Sequence, residues 1–142
     1  MDLNCGEPNF RKFIKYKKYY ANDIFTPEDT TGIEFRKCRD DEVDIKADVI
    51  VLFGYGGGEF TGQPMESSTA GETVIRLSEK YKPEFIVLEM AWKWEKDFKI
   101  MTDLTNRLKD YKILFSERCN IEPVEHYHDK RYIRIFKLPT GA

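Results

Sequence analysis

Val49, Ile50, Val51, Leu52 and Phe53 follow one another without a polar residue in the segment Asp48–Phe53. A strand with no polar position offers no face to water, so it must be covered on both sides, as the strands of a parallel sheet are. Phe85–Leu88 repeats the pattern, and the residues between the two runs read as a helix. Thr69-Ala70-Gly71-Glu72 fits a capping box, and Val74, Leu77, Ser78 and Tyr81 lie along the face that follows. Pro83 ends that helix. A second amphipathic helix carries Trp94, Phe98, Met101, Leu104 and Leu108 at three- and four-residue steps. Its acids Glu95 and Asp97 come early and its bases Arg107 and Lys109 late, which suits the helix dipole. The remaining elements are a short N-terminal strand, a stubby helix near Asn9–Tyr16, and strands over Lys18–Ile24, Ile33–Cys38, Lys112–Phe115 and Arg131–Leu138. Thr26-Pro27-Glu28-Asp29 is a loop by its turn residues. This alternation predicts an α/β fold: a mostly parallel, Rossmann-like sheet in three αβα layers, with the last two strands as an antiparallel edge.

A chain of 142 residues fits one domain over 1–142, with no segment left for a separate recognition domain. Its net charge of −2 argues against a broad basic surface that would hold nucleic acid unaided. No run approaches the length of a membrane span, so no membrane association is expected. Cys5, Cys38 and Cys119 are odd in number and widely spaced, which predicts a reducing, cytoplasmic setting. His126 and His128 have no further ligand at metal spacing, and the expectation is a solvent-facing hairpin with no metal.

The chemistry concentrates near the N-terminus, at Asp2-Leu3-Asn4-Cys5-Gly6-Glu7-Pro8-Asn9-Phe10 and Tyr20-Ala21-Asn22-Asp23-Ile24. A strand running into a glycine turn, then a second strand ending on an acid, is how a nucleoside cofactor is gripped. The turn brings backbone N–H groups close to the ligand, and the acid accepts hydrogen bonds from ribose hydroxyls. The plainer reading is an ordinary α/β turn beside solvated acids.

These segments resemble those of S-adenosylmethionine-dependent methyltransferases, and most closely the cytosine-5 DNA methyltransferase family, which opens Asp-Leu-Phe-x-Gly-x-Gly-Gly-Phe. Ala47–Gly54 is similar to the strand before that family's catalytic loop, and Lys82–Met90 to its Lys-Pro…Glu-Asn-Val segment. The order and spacing hold over about residues 2–138. The resemblance implies the methyltransferase sheet and S-adenosylmethionine as cofactor. It places Asp2, Asn4, Cys5, Gly6, Phe10 and Gly54 around the ligand and Asp23 on the ribose. Ile24 falls on the adenine face, and Asp40 or Asp41 at the adenine edge. Here Glu7-Pro8-Asn9 stands where the family has glycines.

Gly54-Tyr55-Gly56-Gly57-Gly58-Glu59-Phe60-Thr61 resembles the family's Gly-Pro-Pro-Cys-Gln-x-Phe-Ser loop and puts Gly57 at the nucleophile position. Glycine cannot form the covalent adduct with a pyrimidine, so the resemblance implies a member without that route. Glu89 matches the family's base-holding Glu, Arg131 loosely matches its Gln-x-Arg-x-Arg segment, and Glu59 is a second available base. Direct transfer to another acceptor, or a non-catalytic interaction module, are the alternatives. A protein partner would then supply target recognition.

Arg11-Lys12-Phe13-Ile14-Lys15-Tyr16-Lys17-Lys18-Tyr19-Tyr20 interleaves bases with aromatics, as nucleic-acid binders do, although a solvated helix face running into a buried strand explains it more simply. Weak, sequence-indifferent DNA binding through Arg11, Lys12, Lys15, Lys17 and Lys18 is the expectation.

Overall fold

A computed structural model describes residues 1–6, 8–55, 70–91, 95–119 and 131–139. In chain order the elements are β1 (Asp2–Leu3), a 3-10 turn (Asn9–Lys12), β2 (Tyr20–Asp23), β3 (Glu34–Lys37) and a second 3-10 turn (Asp40–Glu42). Then come β4 (Val49–Tyr55), α1 (Ala70–Tyr81), β5 (Phe85–Ala91), α2 (Glu95–Arg107), β6 (Lys112–Cys119) and β7 (Arg131–Lys137). They build one seven-stranded sheet in the order β3-β2-β1-β4-β5-β7-β6. Strands β1 to β5 pair in parallel, and β7 alone runs against its neighbours β5 and β6. The antiparallel edge expected from the sequence is therefore one reversed strand inserted between two that share a direction.

The main core lies on one face. Leu3, Ile50, Leu52, Ile86, Leu88 and Phe136 project there from the strands, against Val74, Ile75 and Leu77 of α1 and Met101, Leu104 and Leu108 at α2. Because strand side chains alternate, the residues between them belong to the other face. There Val51 is buried and Phe53 takes the edge of the Phe10 ring at 5.0 Å, whereas Val87, Ile133 and Ile135 are only half-buried. Among the described residues this third layer holds the Asn9–Lys12 turn and the connections into β2 and β3. Right-handed crossovers require this division, since β1→β2→β3 and β4→β5 run in opposite directions along the sheet. Surface pairs tie the helix layer down. Asp44 accepts from Lys80 Nζ at 2.7 Å and from the Tyr81 hydroxyl at 2.8 Å, and Arg107 of α2 grips Glu72 of α1.

Several boundaries differ from the sequence reading. The helix expected over Asn9–Tyr16 stops at Lys12, where the Phe13 amide turns back to the Phe10 carbonyl at 3.0 Å. Arg11 explains the stop: its guanidinium donates to the carbonyls of Thr31 (2.7 Å) and Asp29 (3.3 Å), fixing the chain beside the β2–β3 connection. Strand β5 continues past Leu88 to Ala91, and β6 past Phe115 to Cys119, because β7 pairs with both along their length. Thr69 and Trp94, expected at helix starts, lie outside the described residues, as do His126 and His128. No helix among the described residues is long and apolar enough to cross a membrane.

Strand β1 is only two residues long yet lies at the centre of the sheet, pairing β2 on one side and β4 on the other. Leu3 goes to the main core, and Asp2 goes to the opposite face, 4% exposed, where its Oδ2 accepts the Tyr19 hydroxyl at 2.6 Å. Burial pushes the Asp2 carboxyl up from 3.8 to about 6 against the opposing pull of the Tyr19 hydrogen bond, and burial with the Asp2 contact raises the Tyr19 hydroxyl as well. A carboxyl with a raised folded-state value favours folding only while it keeps its proton, so its contribution is full below about 3.8 and is lost as pH rises through about 6. Asp2→Asn is isosteric and does not titrate. The variant should match the parent near pH 4 and exceed its stability increasingly towards pH 7, by up to about 3 kcal/mol. Urea unfolding of both chains across that range measures the difference; a constant offset would show that the Asp2 carboxyl does not titrate in this window.

Candidate functional site

The strand order reverses between β1 and β4, and a crevice opens beyond the carboxyl ends of strands at such a point. The turn leaving β1 is shaped by two left-handed residues, Asn4 (φ 50°) and Gly6 (φ 55°). Asparagine tolerates that conformation and glycine adopts it without strain. A Cβ built on Gly6 would meet no atom within 4 Å, so open space lies in front of the turn.

Asn22, fully buried in β2, holds this turn in place. Its Oδ1 accepts the Asn4 backbone amide at 3.0 Å, and its Nδ2 donates to Asn4 Oδ1 at 3.3 Å and to the Cys38 carbonyl at 3.1 Å. The Cys5 amide bonds the Asn22 carbonyl at 2.9 Å, so turn and strand are joined through backbone and side chain together. Asn4 Nδ2 then donates to Asp40 Oδ2 at 3.1 Å, and the Thr73 hydroxyl of α1 donates to Asp40 Oδ1 at 3.0 Å. One polar chain thus runs from β2 through the turn to the second 3-10 turn and into the first turns of α1.

Asp23, next to Asn22, sits at the end of β2. Its Oδ2 accepts the Gly6 amide at 2.8 Å, and its Oδ1 accepts the Phe25 amide at 3.1 Å. Each carboxylate oxygen has a second lone pair, so acceptor capacity remains for the hydroxyls of a diol. Beyond it Ile24 and Phe25 stand 50% and 74% exposed, an apolar pair in reach of water at the rim of the crevice.

The expected residues fall into three groups. Asn4, Cys5, Gly6 and Asp23 come together around the turn, with Ile24 beside them, and Phe10 packs behind on Phe53. Asp2 and Asp40 are instead bracing groups: Asp2 is committed to Tyr19, and Asp40 is 8% exposed with an inward hydrogen bond on each oxygen. Asp41 is exposed and pairs with Arg39 at 3.2 Å. Gly54 lies within β4, ahead of its last residue, Tyr55. Glu89 does not end its strand; it sits two residues before the end of β5, on the face opposite the main core, opposite Ile133 in register. Arg131 opens β7, paired in register with Ala91 and Cys119. Glu59 and Gly57 lie outside the described residues. Cys38 is half-buried, and burial raises its thiol, which disfavours the reactive thiolate. Among the described residues no cluster of three or more His, Cys, Asp or Glu side chains could hold a metal. The sequence reading passed over Asn22 and Thr73 as structural keys. Polar residues in otherwise apolar strand and helix faces were the available signal.

No protein-family model matches the chain, and no curated protein matches it. Solved structures do match. A provisionally assigned RNA methyltransferase of Pyrococcus horikoshii superposes with a TM-score of 0.67 at 9% identity, over 96% of this chain and 72% of that one. A provisionally assigned DNA modification methyltransferase encoded within a prophage of E. coli gives 0.64 at 16% identity, over 96% of this chain and 45% of the other. Magnesium protoporphyrin IX methyltransferase of Synechocystis, with S-adenosylmethionine bound, gives 0.58 at 16% identity, over 97% and 68% of the two chains. At these identities the likeness establishes the architecture: the chain has the Rossmann-like fold of S-adenosylmethionine-dependent methyltransferases.

Proposed function

We propose that the chain binds S-adenosylmethionine in the crevice beyond β1 and is a divergent methyltransferase-like protein related to the cytosine-5 DNA methyltransferases. The observation that carries this reading is the 2.8 Å bond from the Gly6 amide to Asp23 Oδ2. It couples the glycine turn and the strand-end acid, which a nucleoside ligand needs side by side. The donor set fits the adenosine half of the cofactor. Asp23 keeps lone pairs for the ribose diol, Ile24 and Phe25 offer apolar surface for a purine face, and the space before Gly6 is open.

S-adenosylmethionine supplies a methyl group on a positively charged sulfur, open to direct displacement. What this chain contributes is position and a base. Asn22 and Asp40 hold the turn rigid, so geometry is set before binding, the larger part of what direct transfer requires. Glu89 on β5 and Glu59, which follows β4 in the sequence, are the carboxylates assigned to take a proton from an acceptor, and Arg131 at the start of β7 is assigned to pair with an anionic group. The sequence from Gly54 to Thr61 contains no cysteine, so the covalent pyrimidine route has no nucleophile there. The acceptors named for the structural neighbours range from nucleic acids to a porphyrin and do not by themselves choose one.

S-adenosylmethionine or its demethylated product should raise the melting temperature; at a hundred times its dissociation constant the ligand adds about 2.7 kcal/mol. Asp23→Ala should remove most of that shift, while Asp110→Ala, at an exposed carboxylate between α2 and β6, should leave it in place. Calorimetric titration gives the same comparison directly. An unshifted melting curve at saturating ligand would favour the non-catalytic interaction module.

A second outcome concerns covalency. DNA carrying 5-fluorocytosine should not become covalently attached, because trapping needs a thiolate adduct. A protein–DNA band that survives denaturation would overturn this and point to Cys38 or Cys119.

A further inference from the structure

We infer that residues Lys12–Lys18 form a binding surface for single-stranded nucleic acid; resting on the cofactor reading above, this makes a nucleic-acid strand the class of acceptor. The sequence alone allowed a solvated helix face here, and the structure removes that explanation. The helical turn ends at Lys12, and the next residue, Phe13, stands 80% exposed. Ile14 is 38% and Tyr16 41% exposed, and Lys12, Lys15, Lys17 and Lys18 all face solvent. A phenylalanine this exposed, with four lysines within five residues of it along the chain, is not explained by packing among the described residues.

The strip is braced at both ends. On one side Arg11, its side chain only 11% exposed, is clamped to the carbonyls of Asp29 and Thr31 and to the Asp29 carboxylate at 3.1 Å. That base is thereby withdrawn from the surface, a correction to its expected part in DNA binding. On the other side the Tyr16 ring meets the edge of Tyr19 at 5.0 Å, and Tyr19 is anchored to Asp2 of β1. The cations between are presented from a fixed segment about 20 Å long at most, enough to track a few nucleotides.

Charge distribution supports the same partner. Residues 9–19 contain five bases and no acid, so the remainder of the chain carries 18 bases against 25 acids. An otherwise acidic protein thus carries a local excess of positive charge on this strip. Lysines neutralise phosphates, and an exposed aromatic ring stacks on any base, which is the recognition chemistry of unpaired strands. An anionic membrane would also attract lysines, but membrane-surface segments bury a continuous apolar helix face, and residues 13–19 are not helical. In the chain the strip follows Phe10 and Arg11, and Phe10 packs against Phe53 of β4.

Fluorescence polarisation with labelled oligothymidylate and oligouridylate of about 12 nucleotides tests the assignment. The wild-type chain should bind both at low salt, with log affinity falling against log salt at a slope of about −3, as four lysine–phosphate contacts on a single strand require. Phe13→Ala should weaken binding about five- to a hundredfold. Combined Lys12→Glu, Lys15→Glu, Lys17→Glu and Lys18→Glu should abolish it, while Lys46→Glu with Lys109→Glu, at exposed lysines elsewhere, should leave it unchanged. Melting curves confirm that each variant is folded. Absence of binding at low salt, or binding indifferent to the strip variants, overturns the inference. So does strip-dependent binding to phosphatidylserine vesicles without oligonucleotide binding. Strip-dependent oligonucleotide binding in a chain that gives no thermal shift with S-adenosylmethionine upholds the surface and sinks the cofactor reading instead.

Discussion

The side-chain amide of Asn22, with no exposure to water, is the group on which the carboxyl edge of the sheet depends. Strand β1 gives out after two residues, so backbone pairing alone cannot hold the turn that follows it. Asn22 substitutes for that pairing by bonding the Asn4 amide, the Asn4 side chain and the Cys38 carbonyl. A buried amide so fully used is worth more than a surface hydrogen bond, because each partner left unsatisfied costs about 1–3 kcal/mol. The left-handed Asn4 follows from this geometry, as does the orientation of Gly6 towards Asp23. Asp40 passes the constraint to Thr73 of α1, so the helix layer and the turn are positioned together.

The two faces of the sheet divide the work. The helix face holds the continuous apolar core and supplies the rigidity, with Leu3, Ile50, Leu52, Ile86 and Leu88 wholly inside. The opposite face has Asp2 where an apolar residue would cost nothing to bury, and the carboxyl is pushed up to about 6 as a result. Polar residues in positions that packing alone would fill with carbon mark places where something other than stability has set the residue. Asp2, Asn22 and Asp40 lie in or against the β3-β2-β1 half, while the other buried polar residues described are Thr73 and Ser78 in α1 and Arg134 in β7, which donates to Thr105 of α2.

The sheet was legible because its strongest signals are local. Val49–Phe53 and Phe85–Leu88 are apolar on both faces and lead to the centre of the sheet, and the helical spacing of Met101, Leu104 and Leu108 leads to the core. The glycine turn and the acid of β2 were legible as a pair for the same reason. Less legible were residues whose part depends on contacts far along the chain. Asp40 and Asp41 are adjacent acids in sequence, yet Thr73 and Asn4, 33 and 36 residues away, draw the first inward and leave the second to Arg39. Glu89 reads as terminal because the apolar run ends at Leu88, but β7, arriving 40 to 44 residues later, extends the strand by pairing with Glu89, Met90 and Ala91. The helix expected from Asn9 was cut short by the Arg11 clamp on Asp29 and Thr31, a partner that local periodicity cannot reveal.

That clamp also separates two electrostatic environments that the sequence presents side by side. Arg11 neutralises Asp29 and holds the connection between β2 and β3 against the chain leaving β1. On one side of it Asp23 and Asp40 direct their oxygens into backbone and side-chain donors around the turn. A cationic sulfonium ligand is tolerated there, whereas a bare phosphate chain would meet acceptors where it needs donors. On the other side the lysines of the strip face water with no acid among them. In the reading proposed above, a polyanion would be attracted to that surface, and the carboxylates beside the turn would repel its backbone. Only a neutral part of such a ligand, a base turned away from its phosphates, can approach the crevice without loss. On that reading the charge pattern would sort ligands by which part of them can enter, with Arg11, whose side chain is scarcely visible at the surface, standing between the two environments in the chain.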